Sequence, residues 1–99
     1  MPTYILLSTL SPHGVGTLKA NPTRLREVND EIEQMGARVV SQWAVLGPYD
    51  FVNIVEAPDE LTIARVSIEL AARGTLHIQT MAAIRTPAGI AFRNPSVAL

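Results

Sequence analysis

Leu46-Gly47-Pro48-Tyr49-Asp50 lies between two apolar runs, Ala37 to Val45 before it and Phe51 to Val55 after it. Gly, Pro and Asp between β-branched runs reverse the chain, so this stretch reads as the centre of a β-hairpin. Pro48 fixes its own φ near −65° and forbids the positive φ that a two-residue type I′ or II′ loop needs there. A loop of three to five residues on a type I turn, with Pro48 second, fits instead. The cross-strand register stays open at this stage, and with it whether Trp43 stands opposite Asn53 or a neighbour.

Outward from the hairpin, each side carries a helix pattern and then a strand pattern. On the N-terminal side Asn21-Pro22 gives a cap-then-proline start. Leu25, Val28, Ile32 and Met35 then recur at helical spacing, and Gly36 supplies the stop. Arg26 and Asp30 stand one turn apart on its polar face, worth about 0.2–0.5 kcal/mol if paired. On the C-terminal side Ala57-Pro58-Asp59-Glu60 opens a second helix over 61–73, with Thr62, Arg65, Glu69 and Arg73 as a narrow polar line. Its apolar arc is broad enough to be covered on more than one side. Gly74 ends it.

The outermost elements are strands. Thr3 to Thr9 is a continuous apolar run that suits a strand covered on both faces, central in a sheet. Thr75 to Arg85 alternates, with Leu76, Ile78, Thr80, Ala82 and Ile84 on one face and His77, Gln79, Met81 and Ala83 on the other. Between the first strand and the first long helix, Ser11-Pro12 starts a single helical turn carrying Val15 and Leu18, made irregular by Gly14 and Gly16.

The order strand, helix, strand, strand, helix, strand predicts an α+β, ferredoxin-like βαββαβ sandwich, a four-stranded antiparallel sheet with two helices on one face. Strands apolar on both sides leave a large apolar patch on the second face, and pairing two such faces gives a dimeric α/β barrel. The chain thus reads as a homodimer or higher homo-oligomer. Residues 1–85 form the domain. Residues 86–99 keep Ile90, Phe92, Val97 and Leu99 among Pro and Gly, and read as a C-terminal arm that docks on a partner subunit.

Composition narrows the function classes. The chain has 99 residues, 47% hydrophobic and 17% charged, with a net charge of −1 and no cysteine. One small core cannot hide that much apolar surface, which favours self-association. A scattered charge pattern near neutrality argues against nucleic-acid and membrane partners. Disulfides, thiolate metal sites and thiol nucleophiles are excluded. With no basic leader and no membrane-length apolar run, the expected location is the cytoplasm.

The motif Gly-x-Tyr-Asp at Gly47, Tyr49 and Asp50, inside Val45 to Val52 and followed by Ile54-Val55-Glu56-Ala57-Pro58-Asp59, resembles the GYD domain family. Tyr4 to Leu10 and the Asn-Pro before the first long helix also fit, so the resemblance spans roughly residues 3 to 85. It implies a dimeric α/β-barrel fold and brings no established family-wide activity.

The sequence assigns no reaction, no cofactor and no catalytic residue, so the question of enzymatic activity stays open. The ligand-binding candidates are Tyr49, Asp50, Asn53, His77 and Trp43. A turn Asp commonly bonds turn amides and a turn Tyr packs over its loop, which gives Tyr49 and Asp50 a structural reading. Alternatively they orient a polar ligand at a cleft between sheet and helices. His77, beside Gln79, is the side chain most readily tuned to proton transfer near neutrality, but it stands alone. Trp43, with Phe51, Tyr4 and Met81, lines an apolar pocket or belongs to core or interface. No His-x-x-x-His or acidic cluster points to a metal. Two function classes follow. One is a protein holding a small apolar or aromatic molecule in that cleft; the other is a non-enzymatic regulatory or assembly module whose sheet face drives homo-oligomerisation. An RNA-binding sheet comes last, because the central strands offer only Tyr4 and Phe51 and no basic surround.

Overall fold

A computed structural model describes residues 1–86. The predicted arm over 86–99 therefore lies, from residue 87 onward, outside the described residues. The elements are β1 (Thr3–Leu10), α1 (Pro12–Ala20), α2 (Arg24–Gln34), β2 (Arg38–Ala44), β3 (Phe51–Glu56), α3 (Glu60–Ala71) and β4 (Leu76–Ala83). The strands form one antiparallel sheet in the order β2-β3-β1-β4, with β1 and β3 central, the ferredoxin-like order.

The sheet keeps the expected strands and adds a helix. Where a single irregular turn was expected, α1 runs for nine residues. Its two glycines lower helix propensity, but its start is well held. The Ser11 hydroxyl accepts from Gly14 N (3.0 Å) and donates to the Gly74 carbonyl (2.7 Å), while Ser11 N donates to Thr75 O (2.9 Å). Gly14 backs directly onto the Thr75 carbonyl, where a Cβ would collide with backbone. The glycine is thus the condition for α1 to lie against the start of β4.

Two further corrections concern α2. It begins at Arg24 with Thr23 as N-cap, and Asn21 instead accepts from the Thr23 hydroxyl (2.5 Å). The expected Arg26–Asp30 pair is replaced by Arg24 reaching Glu27 (2.9 Å) and Glu31 (3.2 Å). In α3 Asp59 caps by accepting from Thr62 N (2.8 Å). Among the described residues only one side of its apolar arc is covered: Ile63, Val66 and Leu70 are buried, while Leu61 and Ile68 are exposed.

In the hairpin, Val45 N donates to Asp50 O (2.9 Å), which encloses Leu46 to Tyr49. Gly47, not Pro48, takes the positive φ, at 132°. The Asp50 amide, which a hydrogen-bonded type I turn would aim at Gly47 O, donates to Ser8 O of β1 (2.9 Å). The hairpin is thus fastened to the neighbouring strand. Its register sets Trp43 opposite Val52 and Gln42 opposite Asn53. A bulge between Val39 and Ser41 shifts the alternation, so Val39 meets buried Val55 while Ser41 and Trp43 pair with residues of the opposite face.

On β1, Tyr4, Leu6 and Ser8 are buried and Ile5, Leu7 and Thr9 are half-buried. Tyr4, Leu6 and Val55 share one core with Ile32 of α2 and Ile63, Val66 and Leu70 of α3. This is the helix-side face. The opposite, open face carries Ile5, Leu7, Trp43, Val52, Ile54, His77, Gln79 and Met81 by register. Among the described residues no helix is long and apolar enough to cross a membrane.

Candidate functional site

Alternation along β1 and β3 does more than bury leucines: it also sends Ser8 and Asn53 to the helix side. There the sheet and helices do not close completely. A cavity of about 90 Å³ remains, floored by Leu6, Ser8, Phe51, Asn53 and Ile78 and roofed by residues of all three helices, among them Leu18, Leu25, Val28 and Leu70. Its lining is mainly apolar with a few polar groups, as in small-molecule sites. Gln42, next to Asn53 across the β2–β3 register, is already engaged: it exchanges bonds with Asn29 of α2 at 3.2 and 3.4 Å. The Asn53 Oδ1 is buried and has no hydrogen-bond partner among the described residues. Such an orphan typically costs about 1–3 kcal/mol, so its retention marks either a cost borne by the fold or a place for a donor.

Arg24 of α2 and Arg73, just beyond α3, also line the cavity. Both guanidiniums converge on one carboxylate, Glu31, and Arg24 also meets Glu27. Desolvation pushes the Glu31 carboxyl up, but bonding to Arg73 and then Arg24 outweighs it and holds the group below its ordinary value. The hydrogen bond to Glu27, opposed by desolvation and helped by the Glu31 charge, raises Arg24. Arg24 and Glu31 therefore both carry full charge at neutral pH.

Of the five residues singled out in the sequence, only Asn53 faces this cavity. Asp50 anchors the hairpin: its Oδ2 accepts from Leu10 N (2.7 Å), an amide of β1 and not of the turn itself. The Tyr49 hydroxyl donates to Gln79 Oε1 (2.9 Å), reaching across β1 to β4 on the open face. His77, opposite Thr9, is exposed on that same face, and so is Trp43, at 60%. The five therefore do not converge. Ser8, Gln42, Arg24 and Arg73 were not singled out as site residues. Ser8 and Asn53 carried a usable signal, a polar residue in phase with the buried positions of a central strand. The arginines carried none, because their convergence depends on how α2 and α3 pack.

The open face is the second feature with chemistry to offer. Trp43 and Met81 (44% exposed) flank half-buried Ile5, Leu7, Val52 and Ile54. Four strands about 4.8 Å apart and about seven residues long make this face roughly 19 Å by 24 Å, or roughly 450 Å². Thr9, Ser41, His77 and Gln79 stand on the same face, so its apolar part is smaller than this whole-face area. That part is centred on Ile5, Leu7, Val52 and Ile54 and is in the range of a few hundred Å² that marks an interaction surface.

Comparison with known proteins agrees with this architecture. The family model for the GYD domain matches residues 4–89. The chain is 56% identical over 85 residues to a Thermus thermophilus protein named glutamine synthetase and cystathionine beta-lyase binding protein, a match covering 85% of this chain and 90% of that one. Its fold is similar to the crystal structure of TTHA0845 from Thermus thermophilus, with a TM-score of 0.57, 22% identity, and coverage of 88% of this chain and 98% of that chain.

Proposed function

The chain belongs to the GYD domain family, and from that premise we propose that it acts by binding, as a cytoplasmic, self-associating module that docks on other proteins. The observation that carries the reading is the open sheet face, apolar from Trp43 through Ile54 and Leu7 to Met81. Two such faces packed together form a dimeric α/β barrel and bury roughly 900 Å² in total, just under the roughly 1,000 Å² expected of a stable interface. A modest further contact is therefore needed for a stable pair. The relative with 56% identity is named for binding two enzymes, which supports protein partners for this chain as well. With the sheet face occupied by self-pairing, exposed Leu61 and Ile68 of α3 remain for such partners.

Light scattering after size exclusion tests the assembly. The full chain should run at about twice its 10.7 kDa mass. Ile54→Glu, which puts a charge at the middle of the open face, should run as a monomer with an unchanged circular dichroism spectrum. A monomeric wild-type chain, or an unchanged mass for the variant, would overturn the reading.

A second reading is favoured by the unpartnered Asn53 Oδ1: a small, largely apolar molecule held between sheet and helices. In it Asn53 orients the ligand, while Tyr49, Asp50, Trp43 and His77 serve the hairpin and the open face.

A further inference from the structure

The helix-side cavity specifies more than an apolar guest, and we infer that it takes a small apolar carboxylic acid bearing a hydroxyl or amide N–H donor. This rests on the second reading above and assigns the chemical class of its ligand. Three features carry it. The body of the cavity is hydrocarbon, from Leu6, Leu25, Val28, Phe51, Leu70 and Ile78. Inside it the Asn53 Oδ1 is an acceptor with no donor, and only a donor on the ligand or a trapped water completes it. Ser8, buried on the adjacent strand, lines the same space and adds a second polar contact.

The third feature is charge. Arg24 and Arg73 both line the cavity and share the single carboxylate of Glu31. Arg24 also meets Glu27, so the cluster balances two positive and two negative charges. These pairs engage one terminal nitrogen of each guanidinium and leave its other N–H groups free for a second carboxylate, whose geometry guanidinium suits. Size sets the upper limit: at about 90 Å³ the cavity is smaller than the roughly 150 Å³ that encloses a benzene ring, so a short aliphatic acid fits best.

The test is an NMR titration of the full chain with three four-carbon probes: 3-hydroxybutyrate, butyrate and 2-butanol. The hydroxy acid carries donor and anion, butyrate only the anion, and 2-butanol only the donor. We expect 3-hydroxybutyrate to shift the amides of Ser8, Leu25 and Asn53 and to bind about tenfold more tightly than butyrate, the worth of one hydrogen bond to a buried acceptor. Asn53→Leu should erase that difference. Glu31→Gln, which frees Arg73 and leaves Arg24 on Glu27 alone, should tighten the two acids and leave 2-butanol unchanged, the alcohol also reporting that the variant's cavity is intact. If 2-butanol binds as well as the acids, the anionic class is overturned while a cavity ligand still stands. If butyrate equals 3-hydroxybutyrate, the donor is overturned. If no probe shifts these amides, a water fills the cavity, and the second reading falls together with the class.

Discussion

Leu6 and Leu7 are consecutive residues of the same central strand, yet Leu6 is 1% exposed against the helices and Leu7 is only half-buried on the open face. The same contrast runs across the sheet: Val55 is fully buried while Ile54 beside it is not, and Trp43 stands out where Gln42 turns inward. Both faces are apolar, so hydrophobicity does not distinguish them. What distinguishes them is that the described residues supply a helical cover for one and leave the other open. Period-two alternation partitions residues between faces, but coverage is a property of the helices and of the assembly.

The largest expected effect breaks this comparison at its centre. Leu6→Ala removes buried hydrocarbon and enlarges the cavity that Leu6 floors, and should cost about 3 kcal/mol in urea unfolding. Leu7→Ala should cost under about 1 kcal/mol in a dilute sample, where the open face is uncovered. At high protein concentration its deficit should grow, because the lost contacts then belong to an interface. Equal costs for the two variants, independent of concentration, would mean that the two faces are equally covered within one chain.

This contrast also explains how far the sequence could be read. The hairpin, β3 and the two long helices were legible because strong local signals coincide: the Gly-Pro stretch at 47–48, β-branched runs, and apolar residues three and four apart. The length of α1 was not, since Gly14 and Gly16 argue against a helix by propensity alone. The helix persists because Ser11 bonds to Gly74 and because Gly14 fits against Thr75, contacts some sixty residues distant in sequence. The bulge at Val39/Ser41 was equally invisible, although it decides that Trp43 lies on the open face and Gln42 beside Asn53. For the site, Asn53 could be picked out as a residue but not paired with Arg24 and Arg73, because three helices and four strands have to meet before those side chains share a cavity.

A smaller effect of opposite sign concerns the covered face. On the sheet it carries the Asn53 Oδ1, buried without a partner among the described residues. Replacing an orphaned acceptor by a hydrocarbon of similar volume removes its desolvation cost, so Asn53→Leu should stabilise the ligand-free chain by about 1 kcal/mol. For a domain of this length that is about 4 °C or more in Tm by calorimetry. Gain of stability with loss of the donor-dependent binding described above is the pattern of a residue kept for function at a cost to the fold. A destabilised variant would show instead that Asn53 already has a partner in solution, a held water being the simplest.

The smallest effect lies at the cavity edge, where the cover itself is fastened. Arg24 and Arg73 tie α2 to the end of α3 through Glu31, and the side chains are about one-third exposed, at 30%, 32% and 30% for Arg24, Arg73 and Glu31. Solvent screening therefore limits the bridge to less than about 1 kcal/mol. Its sign follows from Glu31: desolvation raises the carboxyl, Arg73 and Arg24 lower it further than that, and the net folded value lies below the ordinary 4.5. The unfolded chain thus takes up the proton first as the pH falls. The contribution is complete above about pH 4.5 and is lost as the pH drops through the folded value. In urea titrations Glu31→Gln should be slightly less stable than wild type near pH 7, and the two should converge as the pH falls through the lowered folded value. Raised salt should shrink the neutral-pH difference for the same reason. A deficit that persists undiminished at low pH would assign Glu31 a packing role, and the helices would then be held over the sheet by hydrocarbon contacts alone.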